Sequence, residues 1–308
     1  MKNFAVVPCF VFFSFFLVFS SCKKSEDQKK VKETIIKGSV TILVDETIKP
    51  IIEDQVEVFE SFYPAKIILD VKSEKEVVRS LINDSSSIAV LSRKLTLEEH
   101  KIFDNKKIIP KATFFATDGI ALISNKKNKD TLIALNDIIA FMKGKSQNAI
   151  KGLVFDNPNS STVRYMNDLA GIKESPEKGT FSFKTNEEVI KFVSENEGMI
   201  GVVGLNWLYQ PTGIMKEIVK QIHVLSVKST TGTEFYAPSQ NNIGEGKYPL
   251  ARDLYIINCQ GSSGLGMGFA SFVAGEQGQR IVLKSGLLPF RTPSRLIQVR
   301  KELNNDKK

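Results

Sequence analysis

The chain has little cysteine and histidine: its 308 residues include three Cys and two His. His100 and His223 are well separated, so no cluster has the ligand spacing of a zinc site. No Gly-x-Ser-x-Gly elbow occurs, and the sequence suggests no Ser, His and Asp set for nucleophilic catalysis. Gly144-Lys145-Ser146 resembles the end of a phosphate loop, but Ile139 stands where the first Gly of that motif belongs. We therefore expect a protein that is not an enzyme and that holds no cofactor or metal.

Net positive charge is scarce outside the two ends of the chain. The formal net charge is +8, of which residues 1–21 contribute +1, residues 22–37 contribute +3 and residues 300–308 contribute +2. This leaves +2 for residues 38–299. A nucleic-acid-binding surface needs a basic patch on the folded body, so we expect no nucleic-acid partner.

Long apolar runs are confined to the N-terminus. Residues 1–21 place Lys2 before an apolar run, Phe10–Phe19, and end in the small pair Ser20-Ser21, an order typical of an export signal. The run is about half the ~20 residues that a membrane-spanning helix needs. Cys22 follows at once, and this arrangement resembles a bacterial lipoprotein signal, in which the Cys becomes the first mature residue and carries lipid. A plain secretory leader followed by a chance Cys is the alternative.

The cysteine positions also exclude an intramolecular disulfide in the mature chain. Cys9 lies in the predicted leader and Cys22 is the predicted lipidation site, which leaves Cys259 without a partner. Cys259 ends an apolar run, so we expect a buried structural thiol rather than a nucleophile. Residues 22–37 are polar and charged, as expected of a flexible tether between a membrane and a folded domain.

Strand and helix patterns alternate beyond the tether. β-branched and apolar runs typical of buried strands are separated by helical stripes of apolar residues and by two capping boxes, Ser73–Glu76 and Thr96–Glu99. This alternation indicates parallel βαβ units and an α/β fold. The predicted strands are 40–44, 66–71, 88–91, 152–155, 199–203 and 250–257.

Two longer extended runs, Ile108–Ser124 and Ile222–Val227, are interpreted as crossings between two sheets. Two crossings predict two lobes, the first of them discontinuous in sequence, each a mixed sheet flanked by helices, with a ligand cleft between them. The predicted segments are a signal peptide 1–21, a tether 22–37, lobe I 38–113, lobe II 114–221, a second part of lobe I 222–300 and a charged tail 301–308.

Hydroxyl-rich turns follow several predicted strands where helices begin. Thr47, Ser73 and Ser92-Arg93 follow the first three strands, and Ser160-Ser161-Thr162 precedes a helix that carries Arg164. Hydroxyl and backbone N–H donors at the positive end of a helix suit a dehydrated oxyanion. N-capping explains a single Ser or Thr equally well, but three hydroxyls exceed what one cap requires. The triple Ser160, Ser161 and Thr162 therefore favours a ligand site.

These motifs, taken in order, resemble those of the phosphate-binding proteins of ABC transporters. The resemblance extends from about residue 40 to 290. Several of the matching stretches are most similar to the lipoprotein branch of that family. It implies a two-lobed periplasmic-binding-protein-like fold of type II that closes on one phosphate and hands it to a membrane permease. The matching stretches are the Thr47 turn, Ser73, Ser92–Thr96, Thr117–Ile123, Phe155–Tyr165, Ile200-Gly201, Gly201–Trp207, Tyr248–Arg252, Gly264–Phe272 and Gly286–Pro289.

The phosphate ligands that the resemblance implies are Thr47, Ser73, Ser160, Ser161 and Thr162. The better-known members have Ser-Asp after the third strand, whereas this chain has Ser92-Arg93, and their anion-contacting Arg falls on Asp156. We hypothesise that Arg93 and Asp156 exchange these two charges, which moves the site's cation to the first lobe.

Further candidate residues follow from these departures. An acceptor for protonated phosphate is one of Asp45, Asp118 and Asp156, and it affects discrimination against sulfate. Two cations, Arg93 and Arg164, suit divalent phosphate, although either can instead form a surface or inter-lobe ion pair. The full set of predicted phosphate-binding residues is Thr47, Ser73, Ser92, Arg93, Asp118, Ser160, Ser161, Thr162 and Arg164.

The expected function is that of a monomeric extracytoplasmic solute-binding protein. It captures inorganic phosphate in the cleft, delivers it to ABC permease subunits and is held at a membrane through lipidated Cys22. The alternative keeps the fold as a sensor or surface lipoprotein whose cleft is vestigial or specific for another oxyanion. A phosphatase or other hydrolase is disfavoured because neither metal ligands nor an activated nucleophile is visible.

Overall fold

The computed structural model describes residues 33–84, 87–145, 150–209, 211, 213–261 and 263–294. The predicted signal peptide, the predicted lipidation site Cys22, tether residues 22–32 and the charged tail 301–308 lie outside the described residues. Among the helices of the described part, none is both long enough and apolar enough to cross a bilayer.

The described residues alternate between strand and helix as predicted. The strands are β1 Gly38–Asp45, β2 Ala65–Lys72, β3 Ile88–Leu91, β4 Lys111–Asn125, β5 Leu132–Ala134, β6 Gly152–Phe155, β7 Thr180–Ser182, β8 Met199–Gly204, β9 Ile222–Val224, β10 Ser226–Lys228, β11 Phe235–Tyr236, β12 Ala251–Asn258 and β13 Leu288–Pro289. The helices are α1 Lys49–Phe62, α2 Glu74–Asn83, α3 Leu97–Asn105, α4 Leu135–Met142, α5 Ser161–Ala170, α6 Asn186–Glu195, α7 Asn206–Tyr209, α8 Met215–Val219, α9 Gln240–Gly244, α10 Leu265–Ala274 and α11 Glu276–Lys284.

The sheet of lobe I has the order β2-β1-β3-β12-β4, in which β2, β1 and β3 are parallel and β12 is antiparallel to both its neighbours. Successive side chains of β1 point to opposite faces of this sheet. Ile42 and Val44 are buried on the face covered by α1, α10 and α11, whereas Leu43 is buried on the face covered by α2 and α3. Both faces of the sheet are therefore covered, which explains the unbroken apolar run of the first strand.

The sheet of lobe II continues from the second half of β4. Residues 120–124 of β4 pair antiparallel with β8, and β6 and β7 follow in parallel. The core of this lobe is formed by these strands together with α4, α5 and α6, whose buried residues include Ile138, Met166 and Val189. Strand β4 thus takes part in both sheets, pairing with β12 through its first half and with β8 through its second half.

The return crossing lies later in the chain than residue 222. Strand β9 pairs with the lobe II half of β4, and β10 pairs with β5, so the extended run around Ile222–Val227 stays within lobe II. Leu250 is still buried in the lobe II core, whereas Ala251 pairs with Gly119 in lobe I. The two crossings are neighbouring strands, and the Ile120 N–H donates to the Leu250 carbonyl at 2.7 Å.

Candidate functional site

An arginine is buried beside the two crossings. Arg252 lies on β12 between Leu250 and Leu254 and is 4% exposed. Its Nε and Nη2 atoms donate to Asp118 Oδ2 at 3.1 and 2.9 Å. Asp118 is on β4, directly opposite Arg252 in the antiparallel register, and is fully buried. The ion pair thus fixes the guanidinium at the place where the chain passes between the lobes.

The same guanidinium contacts one hydroxyl from each lobe. Arg252 Nη1 donates to Ser161 Oγ of lobe II at 2.8 Å, and Nη2 donates to Thr47 Oγ1 of lobe I at 3.2 Å. The two hydroxyl oxygens lie 2.8 Å apart and are hydrogen-bonded to each other. All three side chains are buried, so their hydrogen bonds are formed away from bulk water.

A short 3-10 turn after β1 positions Thr47. Asp45 accepts from the Thr47 N–H at 3.2 Å and from Thr47 Oγ1 at 3.0 Å, which caps the turn Glu46–Ile48. The Thr47 carbonyl accepts from Asn206 Nδ2 at 3.1 Å and from Trp207 Nε1 at 2.9 Å, both in lobe II. The backbone of this turn is therefore held from both lobes.

Helix α5 directs its N-terminus at this cluster. Its N-cap is Ser160, whose hydroxyl accepts from the Val163 N–H at 3.2 Å and donates to Asp156 Oδ1 at 2.5 Å. Ser161 and Thr162 are its first residues, and buried Thr162 Oγ1 has no hydrogen-bond partner among the described residues. A helix N-terminus with unpaired donors favours negative charge.

A second polar network joins the lobes through Asn186, the first residue of α6. Glu46 Oε1 of lobe I accepts from the Asn186 N–H at 3.2 Å, and Glu46 Oε2 accepts from Asn186 Nδ2 at 2.8 Å. Asn186 Nδ2 also donates to Asp156 Oδ2 at 3.2 Å. The lobe interface thus brings several carboxyl groups close to the Arg252 cluster.

Burial dominates the electrostatics of these carboxyl groups. It raises the pKa of Asp45 to about 6, assisted by the nearby charge of Glu74 and opposed by Arg252. Burial also raises the pKa of Glu46 to about 7 and holds the pKa of Asp156 well above its ordinary value. The pKa of Asp118 is raised too, because burial outweighs the favourable charge of Arg252. Near neutral pH the site therefore offers hydroxyl and guanidinium donors beside carboxyls that bind protons readily.

These raised pKa values predict that stability falls as the pH rises. A carboxyl whose pKa is higher in the folded chain contributes stability that is complete below its unfolded pKa and is lost as the pH passes the folded value. For Glu46 that interval runs from 4.5 to about 7. Glu46→Gln should therefore remove on the order of 3 kcal/mol of pH-dependent change in the free energy of unfolding.

Urea unfolding at several pH values across that interval measures the effect. Glu195→Gln, at an exposed position of α6, is the matched control and should keep the pH dependence of the parent. The pKa of Glu76 is lowered by hydrogen bonds from Ser73, and the pKa of Glu99 is lowered by Arg93. These two groups make stability rise with pH, so the effect of Glu46 is read from the difference between the two variants. A Glu46→Gln profile parallel to that of the parent would contradict the prediction.

The structure brings together one group of the predicted site residues. Thr47, Asp118 and Ser161 bond to Arg252, Thr162 follows Ser161 in the first turn of α5, and Ser160 is the cap of that helix. A cleft cavity of about 460 Å³ reaches Ser160 and Asp156 between the lobes and is also lined by Lys72 and Lys184.

The other predicted site residues do not bond to Arg252. Ser73 lines the same cavity as Ser160, and Arg93 and Arg164 line a second cavity, of about 640 Å³, that also reaches Ser160. The Ser73 N–H donates to Glu76 Oε2 at 3.2 Å, as the capping box predicted, and the Ser73 hydroxyl donates to the same oxygen at 2.6 Å. Ser92, Arg93 and Arg164 all donate to the carboxylate of Glu74. The two arginines are thus placed in an ion-pair cluster, which the sequence analysis had left open as an alternative.

The hypothesised exchange between Arg93 and Asp156 is replaced by a different arrangement. Arg93 binds Glu74 and Glu99, whereas Asp156 binds Ser160 and Asn186. The cation of the Arg252 cluster does come from lobe I, but from β12 rather than from the turn after β3.

The predicted site residues did not include Arg252, Glu46 or Asn186, and the hydrogen bond from Trp207 was not predicted. A signal for Arg252 was present: alternate positions Leu250, Leu254 and Ile256 face the buried side of β12, and Arg252 falls in the same register. An arginine on a buried strand face requires partners inside the protein.

The described residues show neither a metal-ligand cluster nor an activated thiol. No group of His, Cys, Asp and Glu within the described part is arranged to hold a metal ion. Cys259 is buried, and burial raises the pKa of its thiol to about 11, so the thiol is not activated as a nucleophile. Chemically, the Arg252 cluster is suited to hold an oxyanion by hydrogen bonds from both lobes.

Comparison with known proteins identifies the family of the chain. The PBP superfamily domain matches residues 30–277. The phosphate-binding protein PstS of Borreliella burgdorferi is 27% identical over 289 residues, covering 88% of this chain and 94% of that protein. PstS of Pseudomonas aeruginosa is 22% identical, covering 84% of this chain and 85% of that protein.

Solved structures share the fold. A Clostridium perfringens protein whose crystal structure contains bound phosphate has a TM-score of 0.68 and 22% identity, covering 82% of this chain and all of that one. An ABC-type phosphate transport receptor from Vibrio cholerae has a TM-score of 0.59 and 18% identity, with the same coverage of 82% and 100%. The predicted two-lobed α/β fold and the predicted resemblance are both confirmed.

Proposed function

The chain belongs to the PBP superfamily, and we propose that it is an extracytoplasmic solute-binding protein that captures inorganic phosphate between its lobes. The observation that carries the proposal is the buried guanidinium of Arg252 in contact with hydroxyls from both lobes. The relatives named above are phosphate-binding proteins, which supports the same ligand. Delivery of the phosphate to an ABC permease completes the proposed role.

The donors of the cluster suit a tetrahedral oxyanion. Thr47 Oγ1 and Ser161 Oγ are bonded to each other, and each hydroxyl can rotate to donate to an anion oxygen instead. Arg252 supplies two nitrogens on the same side, and Thr162 Oγ1 supplies a further hydroxyl. The N-terminus of α5 adds a favourable partial charge. An anion at this point is held by groups from both lobes, so binding favours lobe closure.

The carboxyl groups favour phosphate over sulfate. Phosphate near neutral pH carries a proton that a carboxylate can accept, whereas sulfate carries none and would face the carboxylate with like charge. Asp45 and Asp118 bond directly to the Thr47 and Arg252 group, while Asp156 is held by Ser160 and Asn186. This arrangement favours Asp45 or Asp118 as the acceptor.

The cellular setting rests on the sequence. Ser20-Ser21-Cys22 after an apolar run supports lipidation of Cys22 and attachment to a membrane on its extracytoplasmic side. The protein is proposed to act as a monomer that binds without catalysis. A vestigial or retuned cleft, in a sensor or surface lipoprotein, is the outcome to be distinguished by experiment.

A calorimetric titration tests the proposal. Residues 23–308, which include every described residue, are stripped of anion and titrated with phosphate and, separately, with sulfate. We expect micromolar or tighter binding of phosphate and no measurable binding of sulfate. If neither anion binds, the phosphate proposal is wrong and the sensor or surface-protein alternative takes its place.

A further inference from the structure

Glu74 is a buried carboxylate that joins the lobes through hydrogen bonds of its own. It is the first residue of α2 in lobe I and is 3% exposed. Arg164, on α5 of lobe II, donates to Glu74 Oε1 from Nε at 2.6 Å and to Oε2 from Nη2 at 3.2 Å. Next to this pair, the Lys75 N–H donates to the Asn159 carbonyl at 3.2 Å. The N-terminal ends of α2 and α5 are therefore held together across the cleft.

Each half of the Glu74–Arg164 contact has additional partners within its own lobe. In lobe I, Arg93 Nε donates to Glu74 Oε1 at 3.0 Å and Ser92 Oγ donates to Oε2 at 3.3 Å. In lobe II, Arg164 Nη1 donates to Asp168 Oδ2 at 3.1 Å. When the lobes separate, Glu74 keeps Arg93 as its counter-charge and Arg164 keeps Asp168. The contact therefore breaks without leaving a buried charge unpaired, which is the main cost of breaking a buried ion pair. Such a contact can open and re-form.

The same helix carries this contact and the oxyanion site. Ser161 and Arg164 are three residues apart on α5 and so lie on one side of it, about one turn apart. When Arg164 is fixed on Glu74, Ser161 is held 2.8 Å from Thr47 of lobe I. The Glu74 contact thus favours the lobe arrangement in which the oxyanion donors converge.

We propose that Glu74 is a positioning residue for ligand binding: through Arg164 it stabilises the closed arrangement of the lobes without contacting the anion. This inference rests on the proposed function. Loss of the contact lowers the closed population, and the apparent affinity falls by the same factor.

Glu74→Gln tests the inference because it removes the charge and keeps the size of the side chain. In residues 23–308 we expect the dissociation constant for inorganic phosphate to rise about tenfold, mainly through faster dissociation. Arg164→Gln should give a similar loss, and the double variant should lose no more than either single variant, since the contact is already broken. A circular dichroism spectrum checks that each variant is folded.

The lobe distance is measured independently of any ligand. Spin labels are placed at two exposed positions, Lys101→Cys in α3 of lobe I and Glu195→Cys in α6 of lobe II, in a chain whose Cys259 is replaced with Ser. Electron resonance then gives the distance distribution between the lobes. In the anion-free protein, Glu74→Gln should shift this distribution to longer distances.

Asp168→Asn is the matched control because it removes the same charge from the same arginine within one lobe. Asp168 is exposed, so the affinity of Asp168→Asn for phosphate should stay within about twofold of that of the parent. The distances between the lobes in this variant should equal those in the parent. Unchanged affinity and unchanged distances in Glu74→Gln overturn the inference. If the parent binds no phosphate, the proposed function fails, and the distance measurement alone then tests the positioning role. Longer distances between the lobes in Glu74→Gln than in the parent support that role, and equal distances contradict it.

Discussion

Replacing Arg252 with methionine is expected to lower the affinity for phosphate at least about 1000-fold and the free energy of unfolding by about 3 kcal/mol. The affinity falls because two charge-assisted donors, Nη1 and Nη2, are lost from the point where the two lobes meet. The stability falls because Asp118, which is fully buried, loses its counter-charge. Phosphate titration and urea unfolding measure the two effects.

A second substitution separates these effects. Asp118→Leu, added to Arg252→Met, removes the carboxylate that would otherwise be buried without a partner. The replacement of both members of a buried ion pair by apolar side chains is often neutral or stabilising. The double variant should therefore recover most of the lost stability and none of the phosphate affinity.

Arg280→Met is the matched control for Arg252→Met. Arg280 forms an i,i+4 ion pair with Glu276 on α11, a type of surface pair that contributes less than about 1 kcal/mol. Its phosphate affinity should equal that of the parent. If the Arg252 and Asp118 double variant bound phosphate like the parent, Arg252 would have a structural role only, and the proposed site would be wrong.

The sequence was sufficient to predict the features that depend on local pattern. The apolar runs of β1, β3 and β6 and the two capping boxes predicted the alternating elements. The hydroxyl turns after strands predicted part of the site, because the carboxyl ends of parallel strands meet at one edge of a sheet. Two residues of these turns, Thr47 and Ser161, meet in the structure, and Thr162 follows Ser161 on α5.

Pairing partners could not be predicted from local pattern. The composition of Ile222–Val227 is typical of a strand but does not indicate which strand it pairs with. It belongs to lobe II because it pairs with β4 and β5. Arg93 and Arg164 follow hydroxyl turns and so fitted an anion site. Only the folded chain shows that Glu74, one residue after a capping Ser, lies between them.

The hydroxyl of Thr47 is the second point at which a small change should have a large effect. Thr47→Val is nearly isosteric and removes only Oγ1, which bonds to Asp45, Ser161 and Arg252. We expect phosphate affinity to fall about 100-fold, as for the loss of a buried hydroxyl that contacts a charged ligand. The free energy of unfolding should fall by about 1–2 kcal/mol, less than for Arg252→Met, because no charge loses its main counter-charge.

The backbone of the turn should survive the substitution, so the effect can be assigned to the hydroxyl. The Thr47 carbonyl keeps its bonds from Asn206 and Trp207, and its N–H keeps Asp45. Thr47→Ser restores the oxygen and should recover most of the affinity, whereas Thr41→Val, at an exposed position of β1, should change neither property. Calorimetric titration of the three variants decides the point. If Thr47→Val bound phosphate as tightly as Thr47→Ser, the anion would not contact this hydroxyl, and the binding site would have to lie elsewhere in the cleft.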